Sequence, residues 1–161
     1  MTKASDTNIN TLRLICFMLS AGMLMFAIVA IVIALEKPGT FRQGPPRSPD
    51  WMFLVMTLAT GIGALIIWTA ARRFMLADAR GQWSRPGDVA LKERSIWGRF
   101  SSMAITRAAL AEGFGLLGIV SLLVAGQWWG LAAPLIAIGI ILATLPSQDR
   151  YEQFLEKVTA D

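Results

Sequence analysis

Histidine is absent from this sequence, and cysteine occurs only once, as Cys16. Without histidine the chain lacks the usual ligand for haem iron, zinc and copper and the usual general base near neutral pH. A single cysteine excludes an intramolecular disulfide and a cysteine cluster for zinc or an iron–sulfur centre. No phosphate-binding loop, nucleophile–base pair or paired-carboxylate pattern is present either. We therefore expect no metal site, no cofactor and no enzymatic activity.

Charge is also scarce in this chain. Charged residues make up 16% of the 161 residues and hydrophobic residues 55%, and the mean hydropathy is +0.54. A soluble globular domain carries roughly 25% charged residues. The apolar residues form long runs, close to the ~20 residues that a helix needs to cross ~30 Å of hydrocarbon. The sequence predicts a single membrane domain over 1–161, an all-α four-helix bundle with spans at about 12–35, 51–71, 104–125 and 128–145.

Positive charge is distributed unequally between the two sides of this bundle. Twelve of the fifteen lysines and arginines fall in the N-terminal tail, between the second and third spans, in the C-terminal tail, or in the first turn of the span that follows such a segment (Arg13 and Arg107). The other three, Lys37, Arg42 and Arg47, lie in the first loop. Loops rich in Lys and Arg stay on the cytoplasmic side of a membrane. The distribution predicts that both termini are cytoplasmic (N-in, C-in) and that the protein lies in the inner (plasma) membrane.

The cytoplasmic loop predicted at 72–103 contains a basic amphipathic segment. Asp88 can cap a helix in which apolar residues recur at helical spacing with basic residues between them. This pattern is typical of a helix lying on an anionic leaflet, with a bend into the third span at Gly98 or at Ser101 and Ser102. The simpler interpretation is a positively charged loop with snorkelling arginines. The candidate contacts to lipid headgroups or to a partner are Lys92, Arg94, Trp97 and Arg99. We expect no nucleic acid partner, because the loop forms no recognised fold or stacking platform.

The fourth span is flanked by two recognisable segments. A tight outer turn at 126–130 joins it to the third span, and Pro134 predicts a kink in its first third. After Pro146 the chain predicts a short amphipathic helix from Ser147 to Val158. Its apolar face would consist of Tyr151, Phe154, Leu155 and Val158.

Glu112 is a carboxylate inside the third predicted span. It lies five residues beyond Arg107, or ~7.5 Å along a helix axis, where a charged glutamate is costly. Protonation, a cationic partner or water in a cavity between helices would resolve this cost. The candidate partners are Arg107, Arg72 and Arg73. Small residues at three- and four-residue intervals predict that this helix packs closely against others: Ala104, Ala108, Ala111, Gly115 and Gly118.

Three roles for Glu112 remain open on this evidence. It can be a hydrogen-bonded residue that fixes helix packing, an ion- or proton-carrying group, or a contact to another subunit. The segment Ala108-Ala109-Leu110-Ala111-Glu112-Gly113-Phe114-Gly115-Leu116-Leu117 resembles the second helix of ATP synthase subunit c. In that family a glutamate among small residues carries the transported ion, so the resemblance implies that role for Glu112.

Over its whole length the pattern resembles small bacterial membrane proteins with four spans. The shared features are the third helix with its segment from Arg107 to Gly113, the tight outer turn and a fourth helix that ends at Pro146 and Ser147. We expect a structural, assembly or interaction protein that binds the lipid bilayer and forms a homo-oligomer or joins a larger membrane complex. The alternatives are a proton- or sodium-conducting oligomer that uses Glu112, and an accessory subunit that docks through its basic loop.

Overall fold

The computed structural model describes residues 6–36 and 48–160, and every regular element in these ranges is helical. Five α-helices follow one another in the chain: α1 (Asp6–Glu36), α2 (Ser48–Trp83), α3 (Val89–Ala125), α4 (Ala132–Ala143) and α5 (Gln148–Thr159). The predicted all-α class is confirmed. Helices α1, α2 and α3 are long and apolar enough to cross a membrane. Four residues of the charge count lie outside the described ranges: Lys3, Lys37, Arg42 and Arg47.

The fourth predicted span, 128–145, is divided into two pieces. A short 3₁₀ helix at Trp128–Leu131 leads into α4, which ends at Ala143. Together they are ~26 Å long, slightly less than a bilayer core. The chain then bends by 75° into α5. Pro134 lies in the first turn of α4, where its missing N–H would have no acceptor in any case. Pro134 therefore begins a helix instead of interrupting one.

The segment predicted as a cytoplasmic loop, 72–103, is mostly helical. Helix α2 continues to Trp83 and α3 begins at Val89, so that only 84–88 connect them. The cap predicted at Asp88 is confirmed, because its carboxylate accepts the N–H of Ala90 at 2.9 Å. At 36 and 37 residues, α2 and α3 are each ~55 Å long and exceed a bilayer core. The helical turns that exceed the thickness of a bilayer core extend side by side beyond the apolar part of the bundle.

Helix α3 shows no break at Gly98 or at Ser101 and Ser102, where a bend between two segments was expected, since it runs through these positions without interruption. The physical reason is the apolar face of its first turns. Ile96 and Phe100 are buried in a cluster formed with α2 and α5. A face covered in this way gains nothing by lying on a membrane surface, so the helix continues unbroken from the turn into the bundle.

Two apolar cores hold the bundle together. The first lies where α1, α3 and α4 meet and contains Met23, Leu122 and Ala137, all fully buried. The second joins the ends of α2 and α3 to α5. The predicted amphipathic helix after Pro146 is confirmed, and its four apolar residues are buried in this second core: Tyr151, Phe154, Leu155 and Val158.

Helix α2 lies at the side of the bundle and packs mainly against α3 and α5. The hydroxyl groups of Thr57 and Ser121 are 3.2 Å apart in a buried contact between α2 and α3. On its other side α2 exposes a run of large apolar residues, including Ile62, Leu65 and Ile66. An exposed apolar face of this extent requires cover by lipid or by another protein.

Candidate functional site

The small residues of α3 form the face that packs inside the bundle. Ala104, Ala108, Ala111, Gly115 and Gly118 are all buried. A Cβ atom on Gly118 would lie 2.5 Å from the Gly130 carbonyl oxygen and 2.5 Å from the Ala133 Cβ. One on Gly115 would meet the Met23 sulfur. These positions allow α3 to approach α4 and α1 closely, so the small-residue face is occupied within one chain.

The close approach of α3 and α4 also depends on the turn between them. Gly126 ends α3 with φ of 65°, a conformation that favours glycine, and its N–H donates to the Leu122 carbonyl at 3.0 Å. The chain then reverses within a few residues and places Gly130 against the backbone of α3. A Cβ on Gly130 would lie 2.6 Å from the Gly118 carbonyl oxygen. Backbone therefore meets backbone at this end of the hairpin.

Glu112 lies at the edge of this buried face. It follows Ala111, which is buried, and precedes Gly113, which is exposed and has no atom within 4 Å of its ideal Cβ position. The Glu112 side chain is half-buried and forms no hydrogen bond or salt bridge with any residue of the described ranges. Counted back from Ala125, it lies ~20 Å along α3.

The three arginines predicted as partners of Glu112 lie elsewhere. Arg107 donates a hydrogen bond to the Thr144 carbonyl, and its guanidinium carbon lies 5.5 Å from the centroid of the Trp68 ring. Arg72 lines the same part of the molecule, beside Trp68 and Arg107. Arg73 is exposed and shares no contact with Glu112. The structure thus brings Arg72 and Arg107 together but pairs neither with the carboxylate.

Comparisons with protein-family models, with curated proteins and with solved structures found no match for this chain. The role of each residue therefore has to be inferred from its own contacts.

Three of the four candidate headgroup contacts are engaged within the chain. Lys92 donates to the Trp83 carbonyl at 2.8 Å and lies over the Trp83 ring. Arg99 forms a salt bridge with Asp78. Trp97 packs against the rings of Phe100 and Tyr151. Arg94 is exposed.

Several basic side chains share a role that no local sequence pattern indicates. Three arginines donate to carbonyl groups at the end of α4 and just beyond it: Arg150 to Ala143 at 2.8 Å, Arg107 to Thr144, and Arg13 to Pro146 at 2.7 Å. The last carbonyls of a helix have no intrahelical donor and carry partial negative charge. Arginine N–H groups from α1, α3 and α5 therefore bind the carbonyl groups at the end of α4 and just beyond it.

The same arrangement recurs at two other helix ends. Arg80 on α2 donates to the Lys157 carbonyl near the end of α5 at 3.0 Å, and Lys92 on α3 donates to the Trp83 carbonyl at the end of α2. From the sequence, Arg80 contributed only to the charge count, and Lys92 was in addition a candidate contact to lipid headgroups or to a partner. Each contact depends on a fold that brings distant segments together, so the sequence contained no signal for it.

Proposed function

We propose that this protein is a four-span integral membrane protein of the bacterial inner membrane that acts by binding other subunits. The length and apolar surface of α1, α2 and α3 support membrane insertion. In this proposal Trp128–Ala143 forms the fourth span. The excess of Lys and Arg at the end that carries α5 supports a cytoplasmic position for both termini.

The proposed binding role depends on the position of Glu112 and on its contacts within the described residues. A carboxyl group at this depth costs a few kcal/mol unless a polar partner satisfies it. No partner exists within the described chain. Ala109 and Gly113 are exposed beside Glu112, and such small residues allow another helix to approach closely. We infer that a second copy of this chain packs on the face formed by Ala109, Glu112 and Gly113.

The two alternatives make different demands on Glu112. A proton- or sodium-conducting oligomer needs an ionisable group, whereas a packing contact needs only a hydrogen-bonding one. An accessory subunit of a larger membrane complex would use the same face for a different protein. A Glu112 carboxyl group that has no partner among the described residues supports conduction as the second candidate.

Cysteine cross-linking in phospholipid nanodiscs tests self-association. Since Cys16 is the only cysteine, the Cys16→Ala background accepts single probes. Ala109→Cys should form a disulfide-linked dimer, whereas Ile67→Cys, exposed on α2, should not. Equal cross-linking at both positions, or at neither, would refute self-association through α3. Co-purification of a different subunit with a chain that does not cross-link would favour the accessory role.

Two substitutions at Glu112 then separate packing from conduction. Glu112→Gln keeps a hydrogen-bonding side chain of the same shape, so the dimer should persist, whereas Glu112→Leu should abolish it. Proton and sodium flux are measured in liposomes for the same variants. Flux that is present in the wild type and lost in Glu112→Gln, with assembly intact, would establish the conducting alternative.

A further inference from the structure

A basic cavity of about 340 Å³ lies between α2, α3, α5 and the chain that joins α4 to α5. Four cationic side chains line it: Arg72, Arg107, Arg150 and Lys157. No aspartate or glutamate of the described ranges lines it. Trp68 and Phe154 form part of an apolar wall. The cavity therefore combines concentrated positive charge with an aromatic surface.

The four cations are only partly satisfied by the protein. Arg107 and Arg150 each donate one hydrogen bond to an α4 carbonyl, although each guanidinium has five N–H groups. The side chains of Arg72 and Lys157 have no hydrogen bond or salt bridge within the described residues. Four like charges around one cavity repel one another, and a bound anion would offset that repulsion.

The geometry favours phosphate among the common anions. Guanidinium groups bind phosphate and carboxylate through paired N–H donors, and a phosphate has enough oxygen atoms to engage several such groups at once. Three arginines and one lysine around a single cavity exceed what one carboxylate can engage. The apolar wall at Trp68 and Phe154 suits the organic part of a phosphate ester.

The position of the cavity along the helices points to the membrane surface. Arg72 lies ~32 Å along α2 from Trp51, and Arg107 lies ~27 Å along α3 from Ala125. A hydrocarbon core is ~30 Å thick, so both arginines reach the level at which the phosphates of the cytoplasmic leaflet begin. That leaflet is rich in anionic lipid, which attracts basic groups close to the membrane.

We propose that this cavity binds the phosphate group of a phosphate ester. One source is the headgroup of an anionic phospholipid in the cytoplasmic leaflet, and the other is a free phosphate compound in the cytoplasm. The lipid source depends on the membrane placement proposed above. The site itself does not depend on Glu112 or on self-association.

The variants have to separate ligand binding from helix capping. Arg107 and Arg150 hold the end of α4, so their loss would also disturb the fold. The side chains of Arg72 and Lys157 cap no helix of the described ranges, and the double variant Arg72→Gln, Lys157→Gln therefore removes two charges from the cavity without removing a cap. The matched control is Arg73→Gln, Arg94→Gln, which removes two exposed charges that do not line the cavity.

Native mass spectrometry of protein released from nanodiscs measures the lipid that remains bound. In mixed phosphatidylcholine and phosphatidylglycerol discs, the wild type and the control should retain phosphatidylglycerol selectively. The cavity variant should retain it about thirtyfold more weakly, because each basic contact with an anionic lipid is worth roughly a factor of five. The exchange Arg72→Lys, Lys157→Arg keeps both charges and should restore retention. This comparison keeps the test valid if glutamine at these positions disturbs folding.

A second measurement identifies the source of the phosphate. In discs of phosphatidylcholine alone, the thermal unfolding of the protein is measured in the presence of glycerol 1-phosphate and, separately, of chloride at equal ionic strength. Stabilisation by glycerol 1-phosphate that the cavity variant loses, without selective lipid retention, would identify a free phosphate compound. Equal lipid retention by the cavity variant and the control, with no effect of glycerol 1-phosphate, would overturn the proposal. A failure of Ala109→Cys to cross-link leaves both measurements unaffected.

Discussion

Replacing Gly118 with alanine should weaken the packing of α3 against α4. The added Cβ would lie 2.5 Å from the Gly130 carbonyl oxygen, 2.5 Å from the Ala133 Cβ and 3.1 Å from the Pro134 Cδ. Ordinary contacts between such atoms are ~3.5–4.0 Å. None of these three atoms lies at the end of a flexible side chain, so the two helices must separate by about 1 Å.

The cost of this separation can be isolated with a second glycine of the same helix. Overpacking of this kind costs about 1–3 kcal/mol, but alanine also stabilises a helix by about 1 kcal/mol relative to glycine. Gly98→Ala, at an exposed position of the same helix outside the face proposed for self-association, receives the same gain and meets no neighbouring atom within 4 Å. The difference in unfolding free energy between Gly118→Ala and Gly98→Ala should therefore be about 1–3 kcal/mol.

Unfolding in detergent micelles, followed by circular dichroism during titration with a denaturing detergent, measures this difference. The Cys16→Ala background prevents oxidation without touching either glycine. If Gly118→Ala proves as stable as Gly98→Ala, α3 and α4 do not approach as closely at Gly118 as the structure indicates. The inference that backbone contact holds this hairpin would then fail.

Two further predictions concern individual polar groups. Thr57→Val removes the contact with Ser121 between α2 and α3 and should lower the free energy of unfolding by about 0.6 kcal/mol, a typical value for a hydrogen bond between membrane helices. The control is Thr60→Val, at an exposed position of α2. Equal stability of the two variants in the same titration would contradict the prediction. Burial, together with the negative charge of Glu93, raises the pKa of Tyr151 above its ordinary value of 10.0. The folded state therefore keeps the phenol protonated where the unfolded chain loses its proton, so this contribution is complete below about pH 10 and declines as the pH rises through the folded pKa. Tyr151→Phe should flatten this alkaline part of the stability curve, and unchanged steepness above pH 10 would exclude Tyr151 as its source.

The elements that could be predicted from the sequence are those with local causes. Apolar runs predicted α1 and the apolar part of α2, and Asp88 marked the start of α3. The alternation of polar and apolar residues after Ser147 predicted α5 with its buried face. In each case the residues that determine the structure are neighbours in the chain.

The first turns of α3 show where such reasoning failed. An apolar face beside basic residues suits a lipid surface and suits a neighbouring helix equally well, because both are apolar partners. The aromatic ring of Phe100 packs against Tyr151 and Phe154, which come fifty residues later in the chain. The choice between lipid and α5 therefore depends on tertiary packing, and the sequence pattern alone could not decide it.

The candidate sites differ in the same way. The depth of Glu112 follows from counting residues along one helix, but its lack of a partner among the described residues depends on where the neighbouring helices place their side chains. The basic cavity draws its cations from α2, α3 and α5. In the sequence alone, these residues only contribute to the positive charge predicted for the cytoplasmic side of the membrane. Their convergence is a property of the fold.

The arginines at the end of α4 have a consequence for synthesis. Arg13 leaves the ribosome long before α4, Arg107 precedes it by one helix, and Arg150 emerges only after α4 is complete. A chain that is made from its N-terminus therefore presents two of these donors in advance and the third last. Until α5 docks, the carbonyl of Ala143 depends on water or lipid headgroups. A nascent chain stalled before Arg150 would therefore leave the end of α4 without one of its three arginine donors.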